Sequence, residues 1–317
     1  MKVRIPTIAA ATDSVSPDPN RRRFYNDRDL RLGLLMMLPA ILVLAFVMLY
    51  PAFVAFQSSF FRIDTLTRTE TFVGLRNFQN LLSDPMFWGS FRRTMIWVFG
   101  AMSTQVVAGI AVAVVLNQAV KGRNLVRGFV LFPYLVPAIV AVLTWRWIFS
   151  DTVGVANYLL DDVLGLSDGP VPWFHPDWAM VSVVIMSLWK YLPYWGLLIL
   201  ARMQTIPTDL YEAAEIDGAS GWQKFRYVTL PWILPVIIVL LILRSIWAFN
   251  EFDMVYLPAA GGPLFSTTTV PVYIRYLAFD VGNLGAAAAV AVTMLGMVVV
   301  LTLFYFAVYR RAERNLS

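Results

Sequence analysis

Long apolar runs broken by short polar segments dominate this chain. Six runs approach the roughly 20 residues that a helix needs to cross a bilayer. They fall at about 33–56, 94–118, 129–149, 178–201, 232–250 and 286–308. The stretch between the last two is mixed, with Gly261-Gly262-Pro263, Thr267-Thr268-Thr269 and the apolar run 270–279. Irregular backbone at membrane depth is tolerated only beside protein or water, so this stretch suits a re-entrant or cavity-lining element. Pro133 and Pro137 in the third run, Pro193 in the fourth and Pro235 in the fifth mark places where a helix bends. The pattern predicts an all-α, polytopic membrane protein with six transmembrane helices. Residues 1–31 read as a disordered cytoplasmic tail, 32–310 as the membrane domain and 311–317 as a second tail. A signal peptide is the competing reading of the start, but the apolar run that follows is too long for an h-region.

Composition agrees and narrows the chemistry. The chain of 317 residues is 59% hydrophobic and 14% charged, with a mean hydropathy of +0.66. Soluble domains average about 45–50% apolar and about 25% charged residues. There is no cysteine and one histidine, His175, which excludes disulfides, thiolate metal sites, cysteine nucleophiles and histidine-dependent triads. The net charge of +5 is dispersed and does not suggest nucleic acid.

Where the 25 basic residues lie is more informative than their sum. With the N-terminus inside, 16 fall in cytoplasmic segments and six in exterior ones, while Arg146, Lys190 and Arg244 lie within spans. The exterior loop 150–177 carries Asp151, Asp161, Asp162, Asp168 and Asp177 and no base. This asymmetry predicts a multi-pass topology with both termini in the cytoplasm.

The polar segment 207–235 reads as two short helices around a turn. Thr208 or Asp209 can cap the first, Asp209 and Glu212 stand at capping-box spacing, and Gly218 suits the C-terminal turn. Ser220 and Gln223 form a second box, and that helix is expected to stop near Pro231. Ala213 and Ala214 offer a small, flat face to a visiting protein, and Glu212 and Glu215 can pair with its bases.

Glu212-Ala213-Ala214, Gly218 and then Val228-Thr229-Leu230-Pro231 resemble the EAA loop of binding-protein-dependent ABC importer permeases. The likeness covers about 30–310. It includes Phe72-Val73-Gly74-Leu75-Arg76-Asn77-Phe78, Trp145-Arg146-Trp147-Ile148-Phe149 and Asn250-Glu251-Phe252-Asp253, which look like carbohydrate-type permeases of the maltose, trehalose and glycerol-phosphate kind. The resemblance implies the type I importer fold and a coupling loop at 205–231. It assigns Glu212, Ala213, Ala214, Asp217, Gly218, Ala219, Leu230 and Pro231 to contact with an ATPase. It further implies a second related permease, two cytoplasmic ATPase subunits carrying ATP and magnesium, an exterior solute-binding protein, a bacterial inner-membrane location and a sugar substrate. No G-x-x-x-x-G-K-[ST] sequence occurs, so this chain is expected to bind no cofactor and to be a non-catalytic subunit.

Charges at membrane depth are costly and are functional candidates. Lys190 and Arg244 both count to about 18 Å deep from the nearer predicted start of their spans, and neither has an acid at that depth in its own span. Arg146, near an exterior end, reads as a snorkelling anchor. Tyr191, Tyr194 and Trp247 could stack on sugar rings, with hydrogen bonds from Lys190 or Asn250. These residues, with Arg244, Glu251 and Asp253, are the candidate substrate path, and ordinary membrane-interface aromatics are the alternative. Asp84-Pro85 is a good helix start, and Phe78, Leu81 and Leu82 share a face that either meets a binding protein or packs back onto the membrane domain. A stand-alone ion-coupled transporter using Lys190 and Arg244 is the competing function.

Overall fold

The computed structural model describes residues 27–65, 67–118 and 123–314. The tail expected at 1–31 lies mostly outside the described residues, and so does the end of the tail at 311–317. The chain divides into two compact units, one up to Val54 and one from Ala55 onward.

The first unit is helical. α1 (Asp27–Leu44) passes through a π-helical turn (Ala45–Leu49) into α2 (Tyr50–Ser58). Its large apolar side chains, such as Met36, Phe46 and Leu49, are exposed, as suits a helix bathed in lipid.

The second unit takes in the end of α2 and then a small hairpin, β1 (Phe61–Asp64) antiparallel to β2 (Thr69–Phe72). Its membrane helices are α4 (Pro85–Asn117), α5 (Arg123–Leu135) with α6 (Ala138–Ile148), α8 (Ala179–Met203), α11 (Leu230–Phe249) and α14 (Leu284–Arg314). With the first unit's helix this makes five spans, or six when the α5–α6 pair is taken as one span broken by a 95° bend. The third predicted run is thus helical on both sides of a break at Val136-Pro137. α4 begins nine residues before the predicted start at 94, where Asp84 caps it by accepting from Met86 N at 2.8 Å and Pro85 occupies the first turn.

Shorter elements fill the connections. α3 (Arg76–Ser83) follows the hairpin, and α7 (Val155–Asn157) leads into a π-turn over Tyr158–Val163. α9 (Thr208–Ile216) and α10 (Gly221–Lys224) lie between α8 and α11, and α12 (Asp253–Ala259) and α13 (Val270–Arg275) between α11 and α14.

The core sits where α4, α8 and α11 cross. Trp97, Trp195, Ile199 and Ile233 are fully buried there. Two glycines allow the approach of α4 to α8: a Cβ on Gly109 would lie 2.5 Å from Trp195, and one on Gly196 would lie 2.8 Å from Val112. Polar side chains staple the same helices. Gln105 accepts from Trp195 Nε1 at 3.0 Å and donates to Ser187 at 2.9 Å, while Trp97 Nε1 donates to Ala248 O at 3.0 Å. In hydrocarbon such groups must find partners within the protein.

The segment whose face holds Phe78, Leu81 and Leu82 packs back onto the membrane domain in part. Leu81 is buried with Phe87, Val270 and Tyr273, whereas Leu82 and Phe72 are exposed. Asn77 ties α3 to the hairpin by donating to Ser59 O and Phe61 O, both at 2.8 Å. Tyr273 donates to Asp84; burial first, and then that bond, push its phenol pKa up.

Candidate functional site

The polar loop after α8 has the expected turn with different capping. α9 is preceded by Pro207, and neither Thr208 nor Asp209 caps it by a side-chain hydrogen bond. The Asp209–Glu212 box is therefore not formed: Thr208 and Asp209 already lie within the helix, and Pro207 holds the extended position from which a cap would act. Gly218 closes α9 with φ +73°, and the chain reverses through Gly218 N to Glu215 O at 3.0 Å and Ala219 N to Ala214 O at 2.9 Å. Asp217 N bonds Ala213 O at 3.0 Å. Ser220 and Gln223 form the reciprocal capping box at the start of α10.

The helix does not stop near Pro231. It continues from Gly221 to Phe249 as one span, because a π-turn over Phe225–Thr229 widens the helix just before the proline. Pro231 then follows directly on this wider turn, which breaks the regular hydrogen-bond ladder where the proline carries no N–H. Tyr211 pairs with Thr229 at 2.8 Å, which ties α9 to this turn. Glu212, Ala213, Asp217 and Gly218 are exposed, Ala214 and Ala219 are half-buried, Leu230 packs on the core and Pro231 is exposed. Glu215 is engaged within the chain: it accepts from Lys224 Nζ at 2.7 Å, which holds its carboxyl pKa below the ordinary value.

Most of the predicted substrate-path residues converge on a cavity of about 220 Å³ lined by Tyr134, Tyr191, Tyr194, Arg244, Trp247 and Glu251. The rings form a continuous wall: Tyr134 stacks on Tyr194 at 6.3 Å, and Tyr194 meets Trp247 at 6.1 Å. Arg244, on α11 with 2% side-chain exposure, lies over the Tyr191 ring at 3.7 Å and faces Glu251 at 3.7 Å. The Glu251 carboxylate accepts from Tyr191 Oη at 3.0 Å. Arg244 is not central in its helix. It lies five residues before Phe249, roughly 8 Å along the axis, so an acid just past the helix end reaches it.

Lys190 is central in α8 and its nearest partner is not this pair. Its Nζ donates to Val136 O at 2.6 Å, at the break between α5 and α6. Asn250 turns back to Ile246 O at 2.8 Å and lines a separate groove with Pro271 and Met294. Asp253 is exposed at the start of α12 and lies outside the cavity. Arg146 is exposed near the end of α6.

Tyr134 is the lining residue that sequence reasoning missed. Its position between Pro133 and Pro137 was the available signal, because a broken helix turns side chains toward the lumen that a straight one would send elsewhere.

Residues 105–314 match the family of binding-protein-dependent transport system inner membrane components. The chain belongs to this family. Over 284 residues it is 38% identical to the trehalose/maltose transport system permease protein MalF of Thermococcus litoralis, spanning 89% of this chain and 95% of that one. It is 37% identical to the inner membrane ABC transporter permease protein YcjO of Escherichia coli over 275 residues, 86% and 92% of the two chains. A bacterial ABC transporter involved in the import of the acidic polysaccharide alginate shares the fold, with TM-score 0.77 and 24% identity over 90% of this chain and 96% of that chain. This permease is a multi-pass membrane subunit, and its family is that of the transport component of ABC systems.

Proposed function

We propose that this permease forms half of the translocation pathway of an ATP-driven sugar importer. A second related permease completes the pathway, two cytoplasmic subunits bind ATP and magnesium, and an exterior solute-binding protein delivers the cargo. The observation that carries the reading is the loop Glu212–Pro231 in a chain 38% identical to a trehalose/maltose permease. Glu212, Ala213, Ala214, Asp217, Gly218 and Ala219 form the contact with an ATPase subunit, and Leu230 and Pro231 join that contact to α11. ATP binding draws the coupling loops together and turns the cavity outward; hydrolysis releases the cargo inward. Tyr191, Tyr194 and Trp247 stack on sugar rings, and Glu251, beside Arg244, accepts hydroxyl hydrogen bonds. Both termini lie in the cytoplasm of a cell whose inner membrane holds the complex.

Proteoliposomes test this directly. The four-component complex is expected to accumulate labelled trehalose only with ATP and the binding protein present. Uptake by this chain alone, driven by an ion gradient, would overturn the reading in favour of a stand-alone transporter.

A further inference from the structure

We propose that Lys190 is a positioning residue that clasps the broken third span and thereby sets Tyr134 into the aromatic cavity. The proposal rests on the transport reading above and deepens it. The two halves of the span diverge by 95°. At the break, α5 ends at Leu135, and Pro137, at the start of α6, carries no N–H for the preceding turn. The last carbonyls of a helix have no intrahelical partner, and they form the negative end of its dipole. At membrane depth no bulk water satisfies them. Lys190, 8% exposed as a residue and near the middle of α8, donates from its ammonium to the Val136 carbonyl at 2.6 Å.

A lysine buried in lipid-depth protein is costly unless something holds it. Here the carbonyl end of α5 stabilises the charge, and the charge fixes the end of α5. No carboxylate lies within ion-pair distance of Nζ among the described residues; Glu251 is engaged with Tyr191 and Arg244. Two residues before the clasped carbonyl, Tyr134 stacks on Tyr194 with an interplanar angle of 19° and contacts Tyr191 at 6.5 Å. Lys190 thus touches no cavity wall except through Tyr191, 5.9 Å from its ring centroid, and it acts on cargo through the placement of Tyr134.

Because the chain contains no cysteine, spin labels can be placed without removing native thiols. Labels at Phe129→Cys on α5 and Leu143→Cys on α6, both exposed positions, report the bend by double electron–electron resonance in nanodiscs. Lys190→Met is expected to lengthen and broaden the distance distribution, while Lys190→Arg keeps the wild-type one. If Lys190→Met does not accumulate, Lys190→Gln serves, since its amide is too short to reach the carbonyl in the same way. An unchanged distribution in the Met or Gln variant overturns the clasp.

In the complete transporter, the maximal trehalose uptake rate per complex should fall roughly tenfold in Lys190→Met, on the scale of one charge-assisted hydrogen bond. The half-saturating concentration should stay unchanged. In a Tyr134→Ala background the same substitution should have no further effect, and an additive loss overturns the link to Tyr134. Absence of ATP-driven uptake by the wild-type complex would instead reject the sugar reading, and the label distances would still decide the clasp.

Discussion

Removing the Arg244 guanidinium would leave the Glu251 carboxylate, whose side chain is 13% exposed, without its counter-charge beside Tyr191. Breaking one side of a buried pair costs about 3–5 kcal/mol, far more than the pair contributes over a neutral replacement. Arg244→Ala is therefore expected to lower the thermal unfolding midpoint in detergent sharply. Arg244→Ala combined with Glu251→Gln should recover much of the loss, since an amide can still accept from Tyr191 and needs no cation. A single variant as stable as the wild type would show that the 3.7 Å contact holds nothing together. Both residues are visible in the sequence as candidates, yet their pairing is not. A search for acids within the same span misses Glu251, because it follows the end of α11 and folds back on its last turns. Lys190 was likewise legible as a buried charge, while its partner, a main-chain carbonyl, has no signature in any side-chain pattern.

Turn chemistry decides the proposed coupling loop at the level of whole elements. Gly218 has φ +73° with open space where a Cβ would sit, so a substitution there meets backbone strain and no clash. A β-branched residue in that conformation costs roughly 1–2 kcal/mol, while asparagine tolerates it. Gly218→Val should then distort the turn between α9 and α10 and uncouple ATP hydrolysis from uptake, with membrane insertion intact; Gly218→Asn should stay coupled. Normal uptake by Gly218→Val in proteoliposomes would remove the loop from the coupling assignment.

The Glu215–Lys224 bond spans the same turn and gives it a pH dependence. Because the bond lowers the Glu215 pKa in the folded loop, its stabilisation is present above the ordinary carboxylate range. It is lost as pH falls through the depressed value. A spin label at Asp217→Cys should become more mobile in that acidic window, and with Glu215→Gln its mobility should be high and independent of pH across the window. The sequence marked Gly218 and the Ser220 box correctly. It misjudged Pro231, because a stop signal holds for a regular α-helix and a π-turn just upstream changes the register in which the proline is met.

Across the molecule, hydrophobic runs located the spans because lipid demands a long apolar stretch of any helix that faces it. The packing between spans was much less legible. Gln105, Trp195 and Ser187 join α4 to α8 from positions 82 and 90 residues apart, and no local period announces such pairs. The Gly109–Trp195 approach is equally silent, since a glycine in a membrane helix has many uses.

Orientation is the property on which every proposed partner depends: the coupling loop must face ATP, and loop 150–177 must face the incoming cargo. The positive-inside pattern assigns them to opposite sides. Single cysteines at Asp168, in the acidic loop, and at Asp209, at the start of α9, are both exposed positions in a chain with no other thiol. In intact cells or right-side-out vesicles, a membrane-impermeant maleimide should modify Asp168→Cys and spare Asp209→Cys until detergent is added. The reverse order would place the coupling loop outside, away from ATP, and the importer assignment would fall with it. Labelling of both sites from one side would mean that α8 (Ala179–Met203), the span that separates them, does not cross the bilayer.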